Sequence, residues 1–162
     1  MAMPKVGDKA PGFNLMTDSD QPLKLGDLKG QWSVLYFYPK DDTPGCTKEA
    51  CGLRDDYAAY EKAGVRILGV SPDSPASHRK FKEKYNLPFT LLADDGHKVC
   101  DAYGVWGPKK FMGKEYTGVL RTTFLVDPDG KIAHVFENVK PEGHSQEILS
   151  ALQTSRASKS HV

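Results

Sequence analysis

Three cysteines, Cys46, Cys51 and Cys100, are the side chains best placed to do covalent chemistry in this chain of 162 residues. An odd number of thiols does not read as a disulfide framework. The opening Met1-Ala2-Met3-Pro4-Lys5-Val6-Gly7-Asp8 has no apolar export core, so a reducing, cytoplasmic setting is the expectation. The thiols are then buried bystanders, metal ligands or redox-active groups. Cys46 has the most suggestive position. Thr43 suits a helix N-cap and Pro44 the first helical position, which makes Cys46 the third residue of a helix. There, unpaired N–H groups and the positive end of the helix dipole favour an anion. A free thiol titrates near pH 8.5, and helix N-termini and nearby cations bring such groups down to about 3.5–7.5. The thiolate is the nucleophile, so this placement points to a reactive sulfur, and Gly45 leaves room beside it for a substrate. The competing reading is a capped helix with an idle cysteine in its first turn.

Cys51 lies five residues further on. On an intact helix that spacing separates the two Cα atoms by roughly 8–9 Å. A disulfide needs about 4.4–6.8 Å, so the pair can bond only if the first turn or two melts. Gly52, weaker than Ala in a helix by up to about 1 kcal/mol, makes melting easier. Alternatively Cys51 is a small core residue. Cys46 and Cys51 with His97 and Cys100 make a formal set of zinc ligands, but Thr43-Pro44-Gly45 in front of Cys46 suits a nucleophile better than a ligand. No Cys-x-x-Cys is present, which argues against a thiol–disulfide oxidoreductase. A redox sensor or holdase would need the same cysteines. Cys100 reads as an inert small apolar residue, and the five histidines, which lack metal-type spacing, read as surface or strand residues. Trp106 and Phe111-Met112 read as core, with a wall beside a pocket as the alternative.

The surrounding pattern is that of an α/β domain. Ser33–Tyr38, an unbroken apolar and aromatic run, reads as a strand covered on both faces. A helix from Thr43 to Gly64 follows, then a strand over Val65–Val70, a helix from the Ser71–Pro75 breaker to Tyr85, a strand over Phe89–Ala93 and a short helix over His97–Tyr103. Thr122–Val126 and Lys131–Phe136 flank the turn Asp127-Pro128-Asp129-Gly130 and read as a hairpin. A last helix spans about His144–Leu152. Alternating units predict a parallel sheet with helices on both faces, and the hairpin makes it mixed. The turn-rich first thirty residues add short strands near Phe13–Leu15 and Leu23–Leu25. A thioredoxin-like fold with a mixed central sheet and an N-terminal extension is the expectation, as a single domain over 1–153 with a flexible tail at 154–162. A net charge of +1, with 39% apolar and 27% charged residues, gives no field for nucleic acid and no membrane span.

Pro39-Lys40-Asp41-Asp42-Thr43-Pro44-Gly45-Cys46 matches the Pro-x-x-x-Thr-x-x-Cys signature of the peroxiredoxins. The stretch from Tyr36 through Ala50-Cys51-Gly52-Leu53-Arg54-Asp55, with Asn86–Leu92, Tyr103–Gly107 and Arg121–Asp127, resembles the Q-type subfamily, the bacterioferritin comigratory proteins. The resemblance covers nearly the whole chain apart from the tail. It implies a peroxidase in which Cys46 is the peroxidatic cysteine, Thr43 hydrogen-bonds the peroxide, Arg121 holds thiolate and oxygens, Pro39 shields the sulfur, Glu49 orients the arginine and Cys51 is the resolving cysteine. Gly45 belongs to the pocket. No metal or organic cofactor is implied. The implied reductant is thioredoxin. The Gly-Gly-Leu-Gly insert and C-terminal Tyr-Phe segment of other subfamilies are missing, and no cysteine follows Cys100, which together suggest a monomer with an intramolecular disulfide.

Overall fold

The computed structural model describes residues 3–160, and at 111 and 157–160 the backbone only. The apolar run becomes strand β3 (Trp32–Phe37), in which every residue is buried. Around it a seven-stranded sheet forms in the order β2-β1-β5-β4-β3-β8-β9. Parallel neighbours β4 (Val65–Ser71) and β5 (Thr90–Ala93) lie on one side. On the other, β8 (Thr122–Val126) runs antiparallel to β3 and forms the expected hairpin with β9 (Ile132–Phe136). The turn between them is held by Asp127 Oδ1, which accepts from the N–H groups of Asp129 and Lys131. The N-terminal extension supplies β1 (Asn14–Thr17) and β2 (Pro22–Lys24), which close the far edge against β5.

Side chains of β3 alternate between two cores, as strand geometry requires. Val34 and Tyr36 face one core, shared with Cys46, Ala50 and Leu53 of α1 (Pro44–Asp55), Tyr60 of α2 (Tyr57–Lys62), Phe81 of α3 (Pro75–Tyr85) and Ile148 of α5 (His144–Ser160). Leu35 and Phe37 face the opposite core, with Phe124, Tyr103 and the Val99 and Cys100 of α4 (Lys98–Ala102). The sheet therefore separates Cys46 from Cys100. Among the described residues no helix is long and apolar enough to cross a membrane.

Three local readings need correction. The first long helix is two: Asp56, at φ −99° and ψ 7°, leaves helical geometry, and its carboxylate accepts from Gln146 Nε2 at 2.8 Å on α5. The stretch around Phe111-Met112 is not core but a separate hairpin of β6 (Trp106–Phe111) and β7 (Lys114–Val119). Met112 and Gly113 turn it with positive φ of 51° and 81°, which leaves Met112 exposed at the tip. The last helix does not end at Leu152 but continues to Ser160, where a frayed tail was expected. Arg156 Nη1 donates to the Ala63 carbonyl at 2.6 Å, which ties the extra turns to the domain, and within the helix the Thr154 hydroxyl bonds back to the Ser150 carbonyl. Residues 161 and 162 lie outside the described residues.

The ring of Tyr36 lies over Gly69 of β4, and a Cβ there would meet the tyrosine hydroxyl at 2.7 Å and Leu91 Cδ2 at 2.8 Å. Both neighbours are fully buried, so neither can yield cheaply. Gly69→Ala is expected to lower the unfolding free energy by about 1–3 kcal/mol, the usual range for overpacking, measured by urea denaturation.

Candidate active site

The functional side chains converge where β3 ends and α1 begins. Thr43 is the N-cap and Pro44 the first helical residue, so Cys46 stands in the first turn. The sulfur is buried, in a residue 1% exposed. The register of β8 against β3 pairs Thr122 with Phe37 and so brings Arg121, one residue earlier, to this end of the sheet. Arg121 Nη2 lies 3.4 Å from Cys46 Sγ, and its Nη1 donates to Glu49 Oε1 at 2.9 Å. Gly45 matters here for a reason beyond substrate access. A Cβ on it would stand 3.1 Å from Arg121 Nη2 and 3.6 Å from Pro141 Cγ, so a side chain would crowd the guanidinium.

Thr43 lends its hydroxyl not to the helix but to the preceding loop: Oγ1 donates to the Lys40 carbonyl at 3.0 Å. No side chain caps α1 and no acidic residue stands in its first turn. Pro39 is half-buried at the start of this loop. An open cavity of about 480 Å³ adjoins Gly45, lined by Pro44, Lys48, Lys140, Pro141 and Glu142, with Lys48 and Glu142 ion-paired at 2.6 Å.

Electrostatics at the site are governed by burial. Burial pushes the Glu49 carboxyl up to about 7, against the downward pull of Arg121. Burial also pulls Arg121 down, but the charges and hydrogen bonds of Cys46 and Glu49 more than offset it, so the guanidinium holds its proton more tightly than usual. Glu49 Oε2 has no hydrogen-bond partner among the described residues; His144 Nε2 is 3.9 Å away.

His144 was not read as part of the site. It is buried, shares a proton with Thr123 Oγ1 at 2.8 Å, and is driven down in pKa by burial against the pull of Glu147. Lys109 of β6 is another unread neighbour. It donates to the Val119 carbonyl at 2.8 Å, and burial together with the Arg121 charge lowers its pKa. Neither lies in a recognisable motif; only the fold brings them near Arg121 and Glu49.

Cys51 is half-buried on the same continuous helix as Cys46. Both are free thiols, as is Cys100. Cys100 is buried under the opposite face of the sheet, where burial and the nearby Asp94 push its thiol far up. The zinc set of the sequence is not assembled: His97 bonds Asp101 and stacks on Trp106 at 3.8 Å, on the Cys100 side. The histidines are less superficial than expected, since His78 and His144 are both buried. His161 lies outside the described residues.

Comparison with known proteins shows the family. Residues 6–135 match the AhpC/TSA family. The chain is 55% identical over 148 residues to a putative peroxiredoxin bcp of Coxiella burnetii, covering 91% of this chain and 98% of that one. It is 50% identical over 149 residues to peroxiredoxin Bcp of Escherichia coli, covering 92% and 96%. Among solved structures, a mutant of Xylella fastidiosa PrxQ superposes with a TM-score of 0.89 at 33% identity, covering 95% of this chain and 98% of that one. The chain belongs to the AhpC/TSA family and, within it, to the peroxiredoxins called Bcp or peroxiredoxin Q. It is a peroxidase, an oxidoreductase on the thioredoxin fold.

A carboxyl raised by folding binds its proton more tightly in the folded than in the unfolded chain. The contribution of Glu49 to stability is therefore largest at low pH and declines as pH rises from about 4.5 to about 7. Glu49→Gln removes that decline. The stability of the variant relative to wild type is expected to grow, by an amount on the order of 3 kcal/mol at most, between pH 5 and pH 8, read from urea midpoints at each pH.

Proposed function

We propose that this protein reduces hydrogen peroxide and organic hydroperoxides through Cys46, with Cys51 as the resolving thiol and a thioredoxin-type dithiol as reductant. The observation that supports this best is the Arg121 guanidinium, held at one end by Glu49 and set 3.4 Å from Cys46 Sγ at the other. The Cys46 thiolate attacks one oxygen of the peroxide. An S–O bond forms as the O–O bond breaks, and the departing oxygen takes a proton to leave as water or an alcohol. Arg121 and the N–H groups of the first turn stabilise the charge that builds on that oxygen, while the Thr43 hydroxyl, its own proton given to the Lys40 carbonyl, accepts from the peroxide O–H. Pro39 and Gly45 shape the pocket. A relative from Xanthomonas campestris, 35% identical, is described for its alkyl peroxide reduction activity, which favours including organic hydroperoxides.

The Cys51 thiol then attacks the Cys46 sulfur, an S–S bond forms and water leaves. On helix α1 the two Cα atoms stand roughly 8–9 Å apart, so the helix start unwinds first. Its build favours unwinding: α1 has no side-chain cap, and Gly45 and Gly52 lie on either side of the reacting pair. An external dithiol exchanges with the disulfide and returns both thiols. Such a cycle needs no metal and no second subunit, and we take the enzyme to work as a cytoplasmic monomer.

A peroxide-consumption assay with a thioredoxin system, run on wild type and the three single Cys→Ser variants, tests the scheme. Cys46→Ser is expected to abolish turnover. Cys51→Ser should permit one turnover and then leave Cys46 as sulfenic acid, open to over-oxidation. Cys100→Ser should behave as wild type. Peptide mapping after one equivalent of peroxide should find a 46–51 link within one chain; a 46–100 link would overturn the assignment of Cys51. Arg121→Lys is expected to slow Cys46 oxidation by a factor on the order of 10², because an ammonium cannot span Glu49 and the sulfur as the guanidinium fork does.

A further inference from the structure

A second polar cluster lies behind the loop that joins β3 to α1, unused by the chemistry above. Asp41 Oδ1 accepts from the Tyr38 hydroxyl at 2.6 Å, and Oδ2 accepts from Ser77 Oγ at 2.8 Å. His78 is fully buried, with Nδ1 2.8 Å from Asp41 Oδ2 and Nε2 2.9 Å from the Leu92 carbonyl oxygen. A carbonyl oxygen can only accept, so Nε2 is the donor to Leu92. Beside this pair, Asp73 Oδ2 accepts from Ser71 Oγ at 2.7 Å and from the backbone N–H of Asp41 at 2.8 Å. Ligand atoms of Asp41, Asp73 and His78 come within 4.8 Å of one another, a spacing that would also suit a metal ion. Yet protein donors already point at these oxygens, so the cluster reads as a clamp of hydrogen bonds.

The clamp reaches the active site through one peptide plane. The N–H of Asp41 and the carbonyl of Lys40 belong to the same rigid unit. The N–H is anchored on Asp73, and the carbonyl accepts the Thr43 hydroxyl at 3.0 Å. Turning that plane would turn the acceptor that aims the hydroxyl. Asp41 fixes how deeply the loop sits against α3. Asp42, at a positive φ of 56°, adds a tie through Lys84 Nζ and the Tyr85 hydroxyl, each at 2.8 Å.

We infer that Asp73, Asp41 and His78 are positioning residues that orient the Thr43 hydroxyl through the Lys40–Asp41 peptide. They set how fast Cys46 reacts with peroxide without setting how reactive the sulfur is. The inference rests on the reading of Thr43 as a peroxide-contacting group. Two reactions of the reduced protein separate the effects: oxidation of Cys46 by hydrogen peroxide, which needs the hydroxyl, and alkylation by iodoacetamide, which reads the sulfur alone. Both are measured in a Cys51→Ser, Cys100→Ser background.

Asp73→Ala is expected to slow the peroxide reaction by about tenfold, the scale of a misplaced catalytic group, with alkylation changed less than about twofold. Asp73→Asn should restore the rate, since one amide oxygen can accept both bonds that Asp73 Oδ2 accepts. With Thr43→Val already present, Asp73→Ala should add little, as coupled residues do. If Asp73→Ala does not fold, Ser71→Ala, which frees the carboxylate from its second tie, should show the same selective loss in smaller measure. A wild-type peroxide rate in Asp73→Ala, with Thr43→Val slow, overturns the clamp and leaves the active-site reading intact. Equal slowing of both reactions also overturns it. A wild-type rate in Thr43→Val removes the role of Thr43 and the inference with it.

Discussion

Arg121 can lie against Cys46 because Glu49, one turn further along the same helix, holds its other end. Cys46 and Glu49 are three residues apart, so they share one face of α1 and both point at the strand that delivers the arginine. The rest of the site follows from this fork. Gly45 lacks a side chain where the guanidinium passes. The β8–β3 register places Arg121 at the end of β3 from which the Cys46 loop departs. A charged fork in a buried site needs a counter-charge with fixed geometry, and Glu49 supplies it while itself losing its water. That loss appears as a carboxyl raised to about 7 and an Oε2 without a hydrogen-bond partner among the described residues.

The proposed cycle asks the same helix to hold the sulfur for one step and release it for the next. A strong N-cap would stabilise the first turn by about 1 kcal/mol, yet Thr43 spends its hydroxyl on the Lys40 carbonyl and leaves the first turn uncapped. Ser74, by contrast, caps α3 by accepting from the Ser77 N–H. The difference fits the two helices' positions. α3 is the base against which the loop is braced, through Ser77, His78, Lys84 and Tyr85. The start of α1 is the part whose unwinding the proposed disulfide requires. The later half of α1 stays anchored through Ala50 and Leu53, which are fully buried in the core below it.

Much of this arrangement was legible in the sequence. Strand β3 was plain because an unbroken apolar run has few other uses, and the start of α1 because Thr-Pro is a strong helix-entry signal. The family signature then marked Pro39, Thr43 and Cys46, and the wider resemblance Arg121. What could not be read was long-range. His144 and Lys109 enter the site only through the packing of α5 and the β6–β7 hairpin, and no local pattern near either residue signals it. The hairpin itself was missed because Met112-Gly113 is not one of the common turn pairs, and its strands carry Pro108, Gly107 and Gly118. The break at Asp56 comes where its carboxylate accepts from Gln146, ninety residues away. Buried His78 was misread for the same reason, its partners being spread over the loop after β3 and strand β5.

The sheet also decides which thiols can meet. Because successive β3 residues face opposite cores, Cys46 and Cys100 lie on opposite sides of a layer closed by β8 and β4. Cys51 shares α1 with Cys46 and is half-exposed. The alternation of a single buried strand thus sets Cys46 against one core and Cys100, its thiol pushed up by burial and Asp94, against the other.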